Sequence, residues 1–584
     1  MGTTKRKVSW FGASGIALFS LSASGFAQRA EEHRGPPGNR WSQPVSLPKT
    51  APEEGEIFSA ALVAAGPRQG QLLVLREWNN VVPCPAYIVD PRNLPDPLAD
   101  VACGTDTPEV RVVCLDDSEI GCSGLSFDRD GRLLAAAGHY PSDDCGGGTL
   151  RSNCFNIFDP EAFEWLESPA SLTPMNSCRH YPSAIFVPND PPFGDFLVVV
   201  GGNTPSYEIG RNFAVGSLDA NCWTLCPTAD MPAQLSIGNY TGAYLTQWGL
   251  YFSNPGRDFR VPVPTWGLVP TADTEICPDG DTCPEWQDGP ARSTVKRPFS
   301  GMVFLDRLGG GGQRTQRIVL LGGTEPSLPL RCDSFIGSKK VEWIDDPLLA
   351  GAAWAPSPAV DVLQRPRMFA KSIVLPDGKV AVLGGATHDY ITAAARNQCE
   401  LGCDSPDVQA TREVEIYDPV TNTSKLRATE PVPRMYHSAA VLLPDGRIAS
   451  VGGDTTVATP TSLGCDAGQD LTFYSPPYLS FPRPKGISVS SSVVNRGDTI
   501  DVFATSMPDG AKVAKVTLTA PGVSTHQTES HERWIELKLG TPAAGAIATA
   551  EIPANIWRMP PGYYLLWVVL NTGAVSKAVF IQVV

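Results

Sequence analysis

At 584 residues the chain is too long for one hydrophobic core of ordinary size, and 54 prolines exclude a fold of long helices. A formal charge of −15 argues against DNA or RNA as a partner, because phosphate binding needs a basic face. Plentiful Gly and aromatic residues, with no long 3.6-period apolar segment beyond the first thirty residues, give an all-β composition.

In chain order, Lys5, Arg6 and Lys7 precede an apolar stretch from Val8 to Phe26. Gly25 and Ala27 form a small-x-small site, so residues 1–27 read as a secretory signal peptide cut after Ala27. A membrane anchor is the rival, but Ser and Gly dilute the stretch and it is short for a spanning helix. No later segment is long enough to span, and the mature chain is expected outside the cell, in the periplasm or at the envelope.

From residue 28 to 481 one pattern recurs seven times, starting near residues 59, 122, 181, 240, 297, 368 and 436. Its clearest copy is YHSAAVLLPDGRIASVGGD from Tyr436: an apolar strand, an Asp-Gly turn and a second apolar strand ending in Gly-Gly. Several copies add a third strand ending in Tyr-Asp-Pro or Phe-Asp-Pro, as in EIYDPVTNTSKLR. Seven such units predict a seven-bladed kelch-type β-propeller. RWSQPVSLP, from Arg40, resembles the outermost strand of a blade and is expected to close the seventh. From residue 482 to 584 seven short alternating strands predict an immunoglobulin-like (early-set) β-sandwich.

Fifteen cysteines, all before residue 466, point to disulfides outside the cytoplasm. The close pairs Cys222/Cys226, Cys277/Cys283 and Cys399/Cys403 fit local staples; zinc is the rival, with little His nearby. The odd count leaves one cysteine for another fate.

The first strand of each blade lines the central axis, so its leading residues face one mouth of the channel. Cys122, Tyr181, Tyr240 and Tyr436 open such strands and are read as one register, with His437 beside Tyr436. Tyrosine oxygens and an imidazole converging on one point suit tetragonal Cu(II) better than zinc or a hard cation.

Four segments then resemble the copper radical oxidases, the family of galactose oxidase and glyoxal oxidase: GCSGLSFDRDGRLL, CRHYPSAIFV, RMYHSAAVLLPDGRI and VSTHQTESHERWIEL, the last followed by PPGYYLLWVVLNTGAVSKA. The resemblance covers nearly all of the mature chain. It implies one Cu(II) held by His437, His526 and Tyr181, with Tyr436 as axial ligand and general base. It implies a thioether joining Cys122 to Tyr181, which makes a tyrosyl radical accessible as the second one-electron store. Cys178, three residues before Tyr181, is the alternative to Cys122. His526 would arrive on a hairpin that the C-terminal domain sends up the channel. Tyr240 is read as lining the channel; His139, His180, His388 and His531 are not expected to be ligands. Where galactose oxidase stacks a Trp over the thioether this chain has Thr204, with Tyr207 the nearest aromatic. No counterpart of the sugar-binding domain precedes the repeats, which points to the glyoxal oxidase branch or a bacterial-type alcohol oxidase.

The implied activity is a secreted copper-dependent oxidase that turns a small primary alcohol, aldehyde or carbohydrate, with O2, into the aldehyde or carboxylic acid plus H2O2. A monomer with no nucleic-acid partner is expected. The alternatives are a non-catalytic kelch propeller that binds protein or glycan, and a wall- or matrix-associated structural protein.

Overall fold

The computed structural model describes residues 39–47, 57–76, 86–92, 110–113, 122–138, 155–166, 175–188, 195–202, 206–213, 222–227, 242–253, 265–269, 285–290, 292, 297, 299–326, 335–388, 409–455, 466–468, 470–526, 528–529 and 531–584. The signal segment, Tyr240, His139, Thr204 and the pairs Cys277/Cys283 and Cys399/Cys403 lie outside them, as does the Tyr207 side chain.

Seven antiparallel sheets follow one another along the chain as blades. Their innermost strands are Ile57–Leu62, Gly124–Phe127, Pro182–Val187, Ala243–Thr246, Gly301–Leu308, Lys371–Val374 and Ser438–Leu442, blades 1 to 7. These strands are almost wholly buried, which explains their near-continuous apolar runs. The seventh blade takes its outer strands from the start of the chain: Arg40 pairs with Ser475, Trp41 with Tyr474 and Val45 with Leu471. Trp41 packs on Tyr474 with ring centroids 5.2 Å apart and donates its indole N–H to the Ala428 carbonyl of blade 6.

The Gly-Gly that ends the second strand has a steric cause. Gly384 and Gly385 both have positive φ, and a Cβ on Gly384 would stand 2.8 Å from the Arg434 carbonyl of the next blade. The arginine preceding the inner strand is also part of this device. Arg179, Arg297, Arg367 and Arg434 are fully or almost fully buried and donate to the carbonyls of Gly201, Gly322, Gly384 and Gly452. Three of them also meet a buried carboxylate: Arg297 with Glu342 at 2.8 Å, Arg367 with Glu415 at 2.7 Å and Arg434 with Glu430 at 2.7 Å. Each arginine thus ties the start of one strand to the end of its neighbour, and for Arg297, Arg367 and Arg434 the charge is compensated inside the blade.

The C-terminal region is a two-sheet sandwich. One sheet contains Ser488–Val489, Thr499–Phe503, Ala548–Glu551 and Lys538–Leu539; the other contains Val493–Val494, Val513–Thr519, Trp534–Glu536, Gly562–Leu570 and Val579–Val583. Its core gathers Ile500, Val516, Leu518, Leu566 and Ile581. The sandwich is continuous with the propeller, since Trp534 and Ile535 pair in parallel with Leu305 and Asp306 of blade 5. Between those sandwich strands the chain runs out as a hairpin, Val523–Thr525 and Thr528–Glu529, whose first strand pairs with blade 1 (Thr525 with Ser59, Val523 with Ala61). Among the described residues no helix is long and apolar enough to cross a membrane.

Candidate metal centre

The residues just before the inner strands of blades 2, 3, 5, 6 and 7 are Cys122, Tyr181, Phe299, Phe369 and His437, and every one has φ between 58° and 63°. Left-handed backbone at a non-glycine residue is strained by about 1 kcal/mol or more, and here it recurs by fold symmetry. This corrects the register read from the sequence. His437, not Tyr436, occupies the position of Tyr181 and Cys122. Tyr436 instead matches His180. The two dipeptides are alike in shape: the His180 and Tyr181 rings lie 3.9 Å apart at 33°, those of Tyr436 and His437 4.1 Å apart at 35°.

His526 lies at the tip of the channel hairpin, fully buried and also left-handed at φ 55°. Its ring meets three of the blade residues edge to face: Tyr181 at 5.1 Å, Tyr436 at 5.1 Å and His437 at 4.8 Å. Its Nδ1 is 2.7 Å from the Thr525 hydroxyl, and its Nε2 is 3.9 Å from Cys122 Sγ. Engaging Nδ1 fixes the ring and turns Nε2 toward the centre, which is how metal-ligating histidines are commonly held. The Thr-His dipeptide of the sequence thus supplies both the candidate ligand His526 and, in Thr525, the group that orients it.

Cys122 Sγ and one ring nitrogen each of His437 and His526 all lie within 4.8 Å of one another, with Cys122 and His526 buried. Cys122 is a thiol whereas Cys178 is disulfide-bonded, which removes Cys178 as the partner of Tyr181. The Tyr181 backbone N–H donates to the Cys122 carbonyl at 3.2 Å, so the two strand starts are also joined directly.

Burial, then the neighbouring Cys122 and Tyr436, raises the Tyr181 phenol far above its ordinary range, with side-chain hydrogen bonds to both. Burial, followed by the positive fields of His437, Lys371 and His180, holds His526 well below the usual imidazole range, so it is neutral. A neutral imidazole is the metal-binding form, and a phenol this reluctant to ionise becomes a ligand only beside a cation. Two imidazoles, two phenols and a thiol around one point therefore fit copper by donor chemistry.

Among the other described histidines, His531 and His388 make their contacts elsewhere. His531 is half-buried and meets Phe127 edge to face at 5.4 Å, with its pKa lowered to about 3 by desolvation and then Arg533. The His388 ring contacts Thr387. His180 is different: it stacks on Tyr181, the ring for which the sequence offers Thr204 and Tyr207 near the shielding position. On the other side Phe369 meets the Tyr436 ring at 5.0 Å, and Phe299 meets Phe369 at 4.7 Å, giving the centre an apolar wall.

One cysteine expectation fails on backbone geometry. Cys222 and Cys226 share the strand Cys222–Pro227, opposite Arg211 and Tyr207. Four residues of extended chain span about 13 Å, and a disulfide needs Cα atoms within about 7 Å, so these two cannot bond to each other.

Residues 483–583 match the family model for the galactose oxidase-like early set domain. A galactose oxidase of Gibberella zeae is 23% identical over 491 residues, covering 81% of this chain and 62% of its own length. The chain therefore spans about three fifths of that relative. An aldehyde oxidase of Arabidopsis thaliana, GLOX1, is 28% identical over 242 residues, 37% of this chain and 36% of its own. Among solved structures, a fungal alcohol oxidase of the AA5 family in complex with copper superposes with a TM-score of 0.66 at 20% identity, covering 93% of this chain and 99% of that one. By sequence this chain is similar to the galactose oxidases and glyoxal-type aldehyde oxidases, and by fold to a copper-bound alcohol oxidase, the relatives that make up the copper radical oxidase family it resembles.

Proposed function

We propose that the chain is a secreted copper-dependent oxidase of small primary alcohols or aldehydes, using O2 and releasing H2O2. The observation that carries this reading is the convergence of Cys122, His437 and His526 within 4.8 Å, with Tyr181 and Tyr436 against the His526 ring. His437, His526, Tyr181 and Tyr436 would hold the metal. Copper bound there supplies Lewis acidity and one of the two electron-accepting equivalents that the oxidation requires.

The other equivalent falls to the Cys122–Tyr181 pair. A thioether ortho to the phenol oxygen lowers the cost of removing one electron from Tyr181. In the substrate half-reaction an alcohol loses two protons and two electrons to become a carbonyl; O2 takes up the same two of each to become H2O2. Tyr436 Oη is placed to accept the hydroxyl proton, and Tyr181 to take the hydrogen from carbon. Both groups are set by strand starts rather than by loops, which favours orientation. His180, against the face of Tyr181, screens that ring. Phe369, packed on Tyr436 with Phe299 behind it, makes that side of the centre apolar, which favours alkyl or aryl alcohols and aldehydes over a free sugar.

The test is peroxide release over a panel of alcohols, aldehydes and sugars, with and without copper. Copper-dependent release on at least one class is expected. Intact copper binding with no turnover on any would favour a non-catalytic propeller. In parallel, a tryptic mass map of copper-loaded, aerobically aged protein should show the Cys122 and Tyr181 peptides linked and two hydrogens light. Separate peptides would overturn the assignment of Cys122 and Tyr181 as the second electron store.

A further inference from the structure

The inner strand of blade 7 leaves His437 and reaches the turn Leu443–Arg447 about 17 Å away, at the face opposite the metal centre. There the propeller meets the sandwich, and the seam encloses a cavity of about 750 Å³. Leu443, Pro444 and Phe580 form much of its apolar wall, and Arg92, Arg447, Arg483 and Lys577 bring four cations to it. A second cavity of about 520 Å³, with Phe481 and Ile487 in its wall, adjoins it and shares Arg483 and Lys577.

The four cations are not equivalent. Arg92 pairs with Asp90 at 2.7 Å and Arg447 with Asp445 at 2.7 Å. Arg483 spends its Nε on the Val575 carbonyl and Nη2 on that of Ser576, and neither it nor Lys577 has a carboxylate in ion-pair range among the described residues. Asp445, which also lines the cavity and pairs with Arg447, acts on Arg483 only from beyond ion-pair range, so two cations at one apolar cavity lack a direct carboxylate partner among the described residues. They stand where the two cavities join, so an anion held by both would have an apolar wall on either side.

We propose that this seam is a ligand site, separate from the metal centre, for a small organic carboxylate with an aryl or short alkyl body. The carboxylate sits between Arg483 and Lys577, and the body lies against Leu443, Pro444 and Phe580. A bare phosphate would satisfy the cations and leave the apolar wall wet. A neutral apolar molecule would fill the wall and leave the cations unanswered. The volume is in the range of pockets that take small molecules. Because Leu443 belongs to the propeller and Lys577 to the sandwich, a bound ligand also holds the two together and raises the temperature at which they unfold.

The test is calorimetric titration of the full chain, copper-loaded and copper-free, at constant ionic strength. The probes are benzoate, hexanoate, inorganic phosphate and a uronate oligosaccharide. Saturable one-to-one binding of benzoate or hexanoate is expected, equal with and without copper, and at least tenfold tighter than phosphate. Lys577→Glu, a change at an exposed side chain, should weaken it tenfold or more, and Lys425→Glu on blade 6 should not. Thermal unfolding of each variant without ligand shows that it is folded. Absence of saturation, equal affinity for phosphate, preference for the uronate chain, dependence on copper, or indifference to Lys577→Glu would each overturn the proposal.

Discussion

Blades 2, 3 and 7 and blades 5 and 6 turn into the channel with the same backbone, at φ 58° to 63°, and differ in what stands on it. The first group carries Cys122, Tyr181 and His437; the second carries Phe299 and Phe369. The strain is therefore a property of the propeller, present whether or not the blade contributes chemistry. Function lies in which side chain fills a position that the fold has already bent toward the axis. Strained backbone is usually a pointer to a site. In a repeat protein it points to a ring of equivalent positions, and side-chain identity must choose among them.

The largest expected effect comes from erasing that difference. His437→Phe gives blade 7 the residue type of blades 5 and 6 at a backbone position that accepts phenylalanine. Copper affinity should fall by more than about 100-fold, beyond the 10–100-fold typical of losing only a ligand's hydrogen-bond partner. Unfolding temperature should change little. Titration with Cu(II) followed by electron paramagnetic resonance checks this, together with a melt. Full copper binding in a folded variant would break the distinction between the two groups of blades.

A second contrast separates blade 5 from the channel hairpin by pH. Burial raises the Glu342 carboxyl, but Arg292 and Arg297 outweigh it and bring the pKa down to about 2. Its unfolded value is 4.5, so its contribution is present above that pH and is lost as pH falls toward about 2. The linked stability is about 3 kcal/mol. Glu529 on the hairpin and Glu532 just after it behave oppositely: burial raises both, and the Glu529 charge adds to the cost of ionising Glu532. Their contribution is complete below the ordinary carboxylate range and declines as pH rises through the folded values. Acid should therefore loosen blade 5 first, and mild alkali the hairpin that brings His526. Hydrogen exchange of the two segments at pH 3, 6 and 9 distinguishes them; the same order of protection at all three would contradict the assignment.

Much of the fold was legible because hairpin turns declare themselves. Asp445-Gly446 and its counterparts marked the inner pairs, and the Gly-Gly ends marked where neighbouring blades pass. The register was harder. Arg434 stands three residues before the left-handed position in blade 7, whereas Arg179, Arg297 and Arg367 stand two before it. That one-residue difference brings Tyr436 into apparent alignment with Tyr181, and φ leaves no mark on a sequence unless glycine supplies it. The arginine–glycine carbonyl contacts were likewise invisible, since they join residues 17 to 25 apart through a buried side chain. The stacking of His180 on Tyr181 depends on a dipeptide conformation that the sequence does not state. The Cys222/Cys226 pair looked like a staple because spacing alone does not reveal an extended strand.

The smallest expected effect sharpens the comparison between what the blades and the hairpin each supply. His437 is fixed by the start of its own blade strand, but His526 sits on a hairpin tip and depends on Thr525 for its orientation. Thr525→Val keeps the β-branched shape and the pairing with Ser59 while removing the hydroxyl at Nδ1. The hairpin should stay in place, so the melt should shift little. Copper affinity should fall by about 10–100-fold, because the ring can then rotate and its basicity drops. Thr525→Ser should restore most of it, since the oxygen returns without the methyl. If Thr525→Val bound copper as tightly as the parent protein, the channel would hold His526 by packing alone, and hairpin and blade would be equally rigid donors.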